Sequence, residues 1–156
     1  MLFRATYRMA AAAWLAVLMS TACSSIQNST TPPSPAIDLT GTWRGNFDVQ
    51  GVSSEMVWTL TQSGTAVSGP VLVRLPNGIV LLNGFLTGTL TGSTLPYVIS
   101  VGPGGIPSQP ACAGQLGGTM TAQVGTTSTL NGNYAVTSTT CTPPFAATGN
   151  IALTRG

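Results

Sequence analysis

The sequence predicts an all-β protein: an eight-stranded up-and-down antiparallel β-barrel, preceded by an N-terminal signal peptide and a disordered tether. Three observations carry this. A short unit, apolar–x–Gly–x–apolar, recurs along the chain, first as Leu39-Thr40-Gly41-Thr42-Trp43. It returns around Gly69, Gly88, Gly118, Gly132 and Gly149. In a strand, residues i, i+2 and i+4 share a face, so each unit sets apolar, glycine, apolar on one side and small polar residues on the other. The second observation is strict alternation in most runs after residue 38. The third is that short Gly, Asn and Ser signals separate these runs, and no helical period appears among them.

The chain begins with a basic start, Arg4 and Arg8, followed by an apolar run from Met9 to Met19. That run is too short to span a bilayer as a finished helix and has the length of a secretory core, so residues 1–22 read as a signal peptide. Residues 23–37 follow as a Ser/Thr/Pro tether, with prolines at 32, 33 and 35. An extended tether of this kind gains ~3.1 Å per residue, and would reach on the order of 40 Å at full stretch. Residues 38–156 form the barrel domain, large enough for one core.

Within that domain, Leu39 to Gln50 alternates without a break, with Trp43, Phe47 and Val49 on the inward side. Gly51-Val52-Ser53 is expected to turn the chain. Glu55 to Gln62 forms the second strand, with Met56, Trp58 and Leu60 inward, and Ser63-Gly64 signals a hairpin. Thr65 to Leu75 and Ile79 to Gly92 are the third and fourth strands, joined at Pro76-Asn77-Gly78. Leu81 and Phe85 fall on the polar side of the fourth, which points to a bulge or an outward patch. Thr94 to Val101 is the fifth strand, and 102–111 is the longest loop of the domain. Cys112 to Val124, Thr127 to Ser138 and Phe145 to Arg155 complete the set. Closure removes the exposed edges of such a meander, and inward glycines suit the bending of a small barrel. An open sandwich with glycines at bulges is the alternative.

Cys112 and Cys141 flank the sixth and seventh strands, and export suits a disulfide between them. Their odd spacing sets them on opposite faces of an ideal hairpin. A bulge, or the irregular segment 139–144, must absorb one residue. Closing this loop should stabilise the domain by roughly 3–4 kcal/mol.

Composition limits the chemistry. Charged residues are 5% of the chain, and histidine and lysine do not occur. Beyond the leader, Arg44, Arg74 and Arg155 balance Asp38, Asp48 and Glu55. A neutral surface without clustered cations argues against nucleic acid. A Ser-His-Asp or Cys-His arrangement cannot be built. Asp48 and Glu55 flank the first turn, but as a glycosidase pair they are outweighed by solvated turn residues. No catalytic residue, metal site or cofactor is therefore expected, and the chain reads as a non-enzyme.

Ser20-Thr21-Ala22-Cys23 resembles the lipobox of bacterial lipoproteins, with Ser20 where leucine is usual. The resemblance implies cleavage before Cys23 and lipidation of that residue (palmitate among its acyl chains). It also implies membrane anchoring, which more than one acyl chain makes stable. Ser24, rather than Asp, after the cysteine favours the outer membrane of a two-membrane cell. Ordinary cleavage after Ala22, giving a soluble periplasmic or secreted protein, is the alternative.

Gly41-Thr42-Trp43 resembles the Gly-x-Trp signature of lipocalins, and Leu39 to Trp43 looks like the first strand of avidin-type barrels. Both belong to the calycin group, whose barrels bind small ligands inside. The resemblance implies that Arg155 packs over Trp43 where the last strand meets the first. Gly45 stands where avidins place a biotin-contacting Asn, so biotin is not implied. On this reading a small apolar ligand, a lipid or another envelope component is the partner, with Met56, Trp58, Tyr97 and Tyr134 as interior contacts. A structural or assembly lipoprotein with a packed core, acting through protein–protein contacts at Leu81, Phe85 and the loop 102–111 on its outer face, is the competing reading. An integral outer-membrane barrel is the third, decided by whether Trp43 and Val71 face lipid or a dry core.

Overall fold

The structure, a computed structural model, describes residues 37–142 and 146–156. Its eight strands are β1 (Gly41–Val49), β2 (Val52–Ser63), β3 (Ala66–Arg74), β4 (Val80–Thr89), β5 (Thr94–Val101), β6 (Gly114–Gln123), β7 (Thr129–Thr139) and β8 (Thr148–Arg155). Each pairs antiparallel with the next, and β8 returns to β1, giving a closed up-and-down barrel rather than an open sandwich. The signal peptide, Cys23 and the tether as far as residue 36 lie outside the described residues, as does Phe145.

Local chemistry explains where the chain turns. The first hairpin closes at Gln50-Gly51, with φ of 54° and 80°, and Val49 faces Val52 directly. Positive φ at both central residues gives the two-residue turn that matches strand twist. The Asp48 carboxylate accepts the Gly51 N–H at 3.0 Å. Strand β2 therefore starts at Val52, and the expected turn through Ser53 is corrected: no third loop residue is needed. The β2–β3 and β4–β5 turns each place a glycine at φ 60°, Gly64 and Gly92, which a side chain would strain.

Two bulges settle the two phase problems in the sequence. Register between β3 and β4 slips at Arg74, which faces Val80, while Val73 faces Leu82. Leu81 is the extra residue, and it packs against the core's edge. Phe85 then stays outward and is 50% exposed. Between β6 and β7 the register slips again: Gln115 faces Ser138 but Leu116 faces Val136. Thr137 is the extra residue, and this one-residue slip brings Cys112 opposite Cys141, which are disulfide-bonded.

The core is the barrel interior. Trp43, Trp58, Leu60, Leu86, Ile99, Met120 and Ile151 are fully buried there. Inward glycines make room for large neighbours on the next strand. A Cβ on Gly149 would lie 2.6 Å from the Tyr134 ring, and one on Gly132 would lie 2.7 Å from the Met120 sulfur. In the copies at Gly88, Gly132 and Gly149 the glycine leaves room for a side chain of the adjacent strand, and at Gly69 and Gly118 it lets the neighbouring backbone approach closely, whereas Gly41 meets nothing within 4 Å.

Candidate functional site

The barrel has two dissimilar ends, and the interior lies between them. At the end where β1 begins and β8 finishes, Trp43 and Arg155 are direct register partners across the β1–β8 seam. The Arg155 guanidinium lies 4.8 Å from the Trp43 ring centroid and donates to the Asp38 carbonyl. The Trp43 indole N–H donates to the Leu39 carbonyl at 2.8 Å, and Leu39 is itself fully buried. The Gln62 amide holds this approach, accepting from the Leu39 N–H and donating to the Ile37 carbonyl. Residues 37–40 thereby cap this end of the barrel. The seam is tight: a Cβ on Gly45 would lie 2.0 Å from the Ala152 carbonyl oxygen.

The opposite end is covered by the loop between β5 and β6. Ile106, which the sequence offered no reason to single out, is only 4% exposed and plugs this end. The Gln109 side-chain amide donates to the Thr142 carbonyl at 2.6 Å and accepts from the Thr142 N–H at 2.8 Å. The Cys112–Cys141 disulfide ties the base of the loop to the end of β7. The void beneath, about 20 Å³, is lined by Leu82, Val101, Ile106, Leu116 and Val136.

Between these ends, Met56, Trp58, Tyr97 and Tyr134 all point inward and are buried. Trp58 and Tyr97 pack with ring centroids 5.2 Å apart, and Phe47 and Tyr134 with centroids 5.3 Å apart. Met56 and Tyr134 border the central void, whose volume is about 10 Å³. Drug-sized ligands occupy ~300–1,000 Å³, so among the described residues these side chains fill the core and leave no chamber of that size. Trp43 and Val71 face this dry core, and the outward rows carry Thr, Ser, Asn and Gln together with Arg44, Glu55 and Arg74 and the exposed Phe85 and Val98, the reverse of the polar lumen and continuous apolar outer band of a membrane-spanning barrel.

Two polar groups inside the barrel differ in how they are satisfied. The Tyr97 hydroxyl crosses β6 above Gly118, which has no side chain to block it, and donates to the Asn133 carbonyl on β7 at 3.0 Å. The Asn133 side-chain oxygen instead accepts the Thr119 N–H at 3.1 Å, mending the ladder where that carbonyl has turned inward. Burial pushes the Tyr97 phenol well above its usual range, and the neighbouring Tyr134 phenol adds to this. The Trp58 indole N–H, in contrast, is buried with no hydrogen-bond acceptor among the described residues.

Among the described residues, the side-chain ion pairs lie on the outside of β1–β3. Glu55 takes Arg44 on one oxygen at 2.8 Å and Arg74 on the other at 2.6 Å. These arginines, Arg44 first, hold the Glu55 carboxyl below its usual range. Asp48 serves the first turn instead, so Glu55 and Asp48 are engaged with different partners. Among the described residues no cluster of His, Cys, Asp and Glu could hold a metal. No protein family, curated protein or solved structure matches this chain.

Proposed function

We propose that this chain is an exported, non-catalytic envelope protein, lipid-anchored at Cys23, whose packed barrel works through its outer surface. The observation that carries this reading is the filled interior. A central void of about 10 Å³ has room for about one water and no more, so the strands form a solid body rather than a container. The lipobox-like Ser20 to Cys23, the tether and the disulfide support export and anchoring, with the outer membrane favoured by Ser24. The Trp43–Arg155 closure and the eight-strand topology support kinship with the calycin barrels. Asp38, Asp48 and Glu55 are bound up in turns and ion pairs, which supports a role without catalysis.

A second reading keeps the interior as the site for a small apolar ligand or lipid. The unpartnered Trp58 N–H favours it, because a ligand carrying one acceptor would satisfy that donor. Binding would require the core to open by displacing Ile106. Mass spectrometry of the protein purified from its own membranes tests both. A lipid-modified peptide beginning at Cys23, and a native mass with nothing else retained, are expected. A free Cys23 thiol within an uncleaved chain would overturn the anchoring. A stoichiometric apolar molecule retained by the folded protein would favour the interior reading instead.

A further inference from the structure

The loop between β5 and β6 is bonded chiefly to itself. The Gly104 N–H donates to the Pro110 carbonyl at 2.8 Å, and the Gly105 N–H to Gly102 at 2.9 Å. The Gln109 N–H donates to Ile106 at 2.8 Å, and the Cys112 N–H to Gln109 at 3.0 Å. Within it Ile106 and Cys112 are buried, the plug and one half of the disulfide. Among the described residues, two sets of hydrogen bonds and the disulfide join this unit to the barrel. The Asn83 N–H on β4 donates to the Gly105 carbonyl at 2.7 Å, and Gln109 pairs with Thr142 through both atoms of its amide. Cys141 adjoins Thr142, so the disulfide and the Gln109 pair grip the same segment and act as one latch. At the loop's start, a Cβ on Gly102 would meet nothing within 4 Å, which leaves the chain room to pivot there.

What this unit covers is apolar. The void of about 20 Å³ under Ile106 is bounded by Leu82, Val101, Leu116 and Val136, and by Cys141 itself. The central void of about 10 Å³ borders the same Leu82 and Leu116. Two side chains, one from β4 and one from β6, therefore stand between the seat of the plug and the middle of the core. No pairing of β5 with β6 depends on the loop, because their ladder runs from Val101 opposite Gly114 to Thr94 opposite Thr121. The other end of the barrel is built differently. There Trp43 and Arg155 are fixed by strand register, and Leu39 by the Gln62 amide. Only at the loop end does the mouth of the barrel rest on a separately bonded unit.

We propose that residues 102–112 form a redox-latched plug: with Cys112–Cys141 intact Ile106 seals the barrel, and reduction lets the loop lift and bare Leu82, Val101, Leu116 and Val136. The inference rests on the filled interior of the reading above, which the plug keeps closed. Cys141 is half-buried where Cys112 is buried, so its sulfur is the one a reductant reaches. A thiolate of a dithiol reductant attacks the Cys141 sulfur and forms a mixed disulfide there. The Cys112–Cys141 bond breaks, and its electron pair leaves on the Cys112 sulfur. The second thiolate of the reductant then displaces the Cys141 sulfur, so the dithiol departs oxidised as a disulfide. Its two protons go to the two protein thiols. What then holds the plug is the burial of Ile106, the Gln109–Thr142 pair and the Asn83–Gly105 bond. Hydrogen bonds near the surface add little net stability over those to water. Such a segment opens well before the sheet beneath it.

Hydrogen exchange of the full chain, resolved amide by amide in nitrogen-15 spectra with and without dithiothreitol, tests this. The reporters are the Asn83 and Thr142 N–H groups, which bond to Gly105 and Gln109 across the edge of the loop. Reduction should speed exchange at both by roughly tenfold or more. The Leu39 and Leu90 N–H groups, bonded to Gln62 and Thr65 at the opposite end, should not follow. A double variant, Cys112→Ser with Cys141→Ser, should behave like the reduced protein without any reductant. Gln109→Ala should speed Asn83 exchange further in the reduced protein and change it little in the oxidised one. Equal Asn83 exchange in the two redox states overturns the proposal. So does a reduced protein in which Leu39 and Leu90 lose protection by the same factor, because the bond would then hold the whole barrel rather than the plug. In either case the filled interior stands. Fast Asn83 exchange in the oxidised protein, together with a saturable shift of the Trp58 indole resonance on adding dodecanoate, would instead bring down the filled-interior reading beneath the inference.

Discussion

Trp43 and Trp58 are register partners on adjacent strands, both fully buried, and they offer a controlled comparison. Replacing either by Phe removes the same atoms, so the cavity term is similar, about 1 kcal/mol. The polar terms have opposite signs. Trp43→Phe also removes the bond to the Leu39 carbonyl, leaving that buried acceptor unpaired at a cost of about 1–3 kcal/mol. It weakens the stacking of Arg155 as well, by about 0.5 kcal/mol at such an exposed cation. The total is about 2.5–4.5 kcal/mol. Trp58→Phe removes a donor that has no acceptor, which returns about 1–3 kcal/mol and offsets the cavity. Its net effect should lie between zero and about 2 kcal/mol of stabilisation. Urea unfolding of the oxidised protein, followed by circular dichroism, reads both from the midpoint at constant slope. A Trp58→Phe loss equal to or greater than that of Trp43→Phe would refute the reasoning and show that the Trp58 N–H is satisfied in solution.

Other expectations follow from the same structure. Gly45→Ala sets a methyl against the Ala152 carbonyl at the β1–β8 seam and should cost about 1–3 kcal/mol, with faster amide exchange at Thr154 and Gly156 than elsewhere in the sheet. Reducing the disulfide should lower stability by roughly 3–4 kcal/mol and raise exchange in residues 102–113 before the barrel strands, which hydrogen-exchange mass spectrometry resolves. A buried phenol whose folded pKa is raised contributes stability that is complete below pH ~10 and lost as pH rises further. Unfolding free energy should therefore stay flat through neutral pH and then fall by up to about 1.4 kcal/mol per pH unit for Tyr97, with the alkaline slope reduced in Tyr97→Phe. A slope already present at pH 8 would contradict that assignment.

Much of the architecture was legible in the sequence because period and glycine placement are local signals. The alternation from Leu39 to Val49 dictates a half-buried strand, and the repeated glycines mark where neighbouring strands interlock. Turn chemistry was less legible. Gln50 adopts positive φ beside Gly51, a role more common for Asn or Asp, so the first turn was expected one residue late and too long. The wrong-face Leu81 and the odd cysteine spacing both indicated a missing residue, and each bulge supplies one. What lay beyond the sequence is three-dimensional. Ile106 sits in a Gly/Pro-rich loop whose pattern gives no inward face, and only the docking of Gln109 on Thr142 makes it a plug. Whether Met56, Trp58, Tyr97 and Tyr134 line a chamber or fill it depends on how side chains from opposite strands meet, which no single strand's pattern encodes.

The central claim is that the barrel is solid and works from outside. The Trp58 indole resonance in a nitrogen-15 spectrum of the folded protein is the most direct reporter, since this N–H lies in the core without an acceptor. The account predicts that the resonance does not move when dodecanoate, or a total lipid extract in micelles, is titrated to saturation. A saturable shift of that resonance, in a protein whose Cys112–Cys141 bond is intact, would contradict it and make the interior the site.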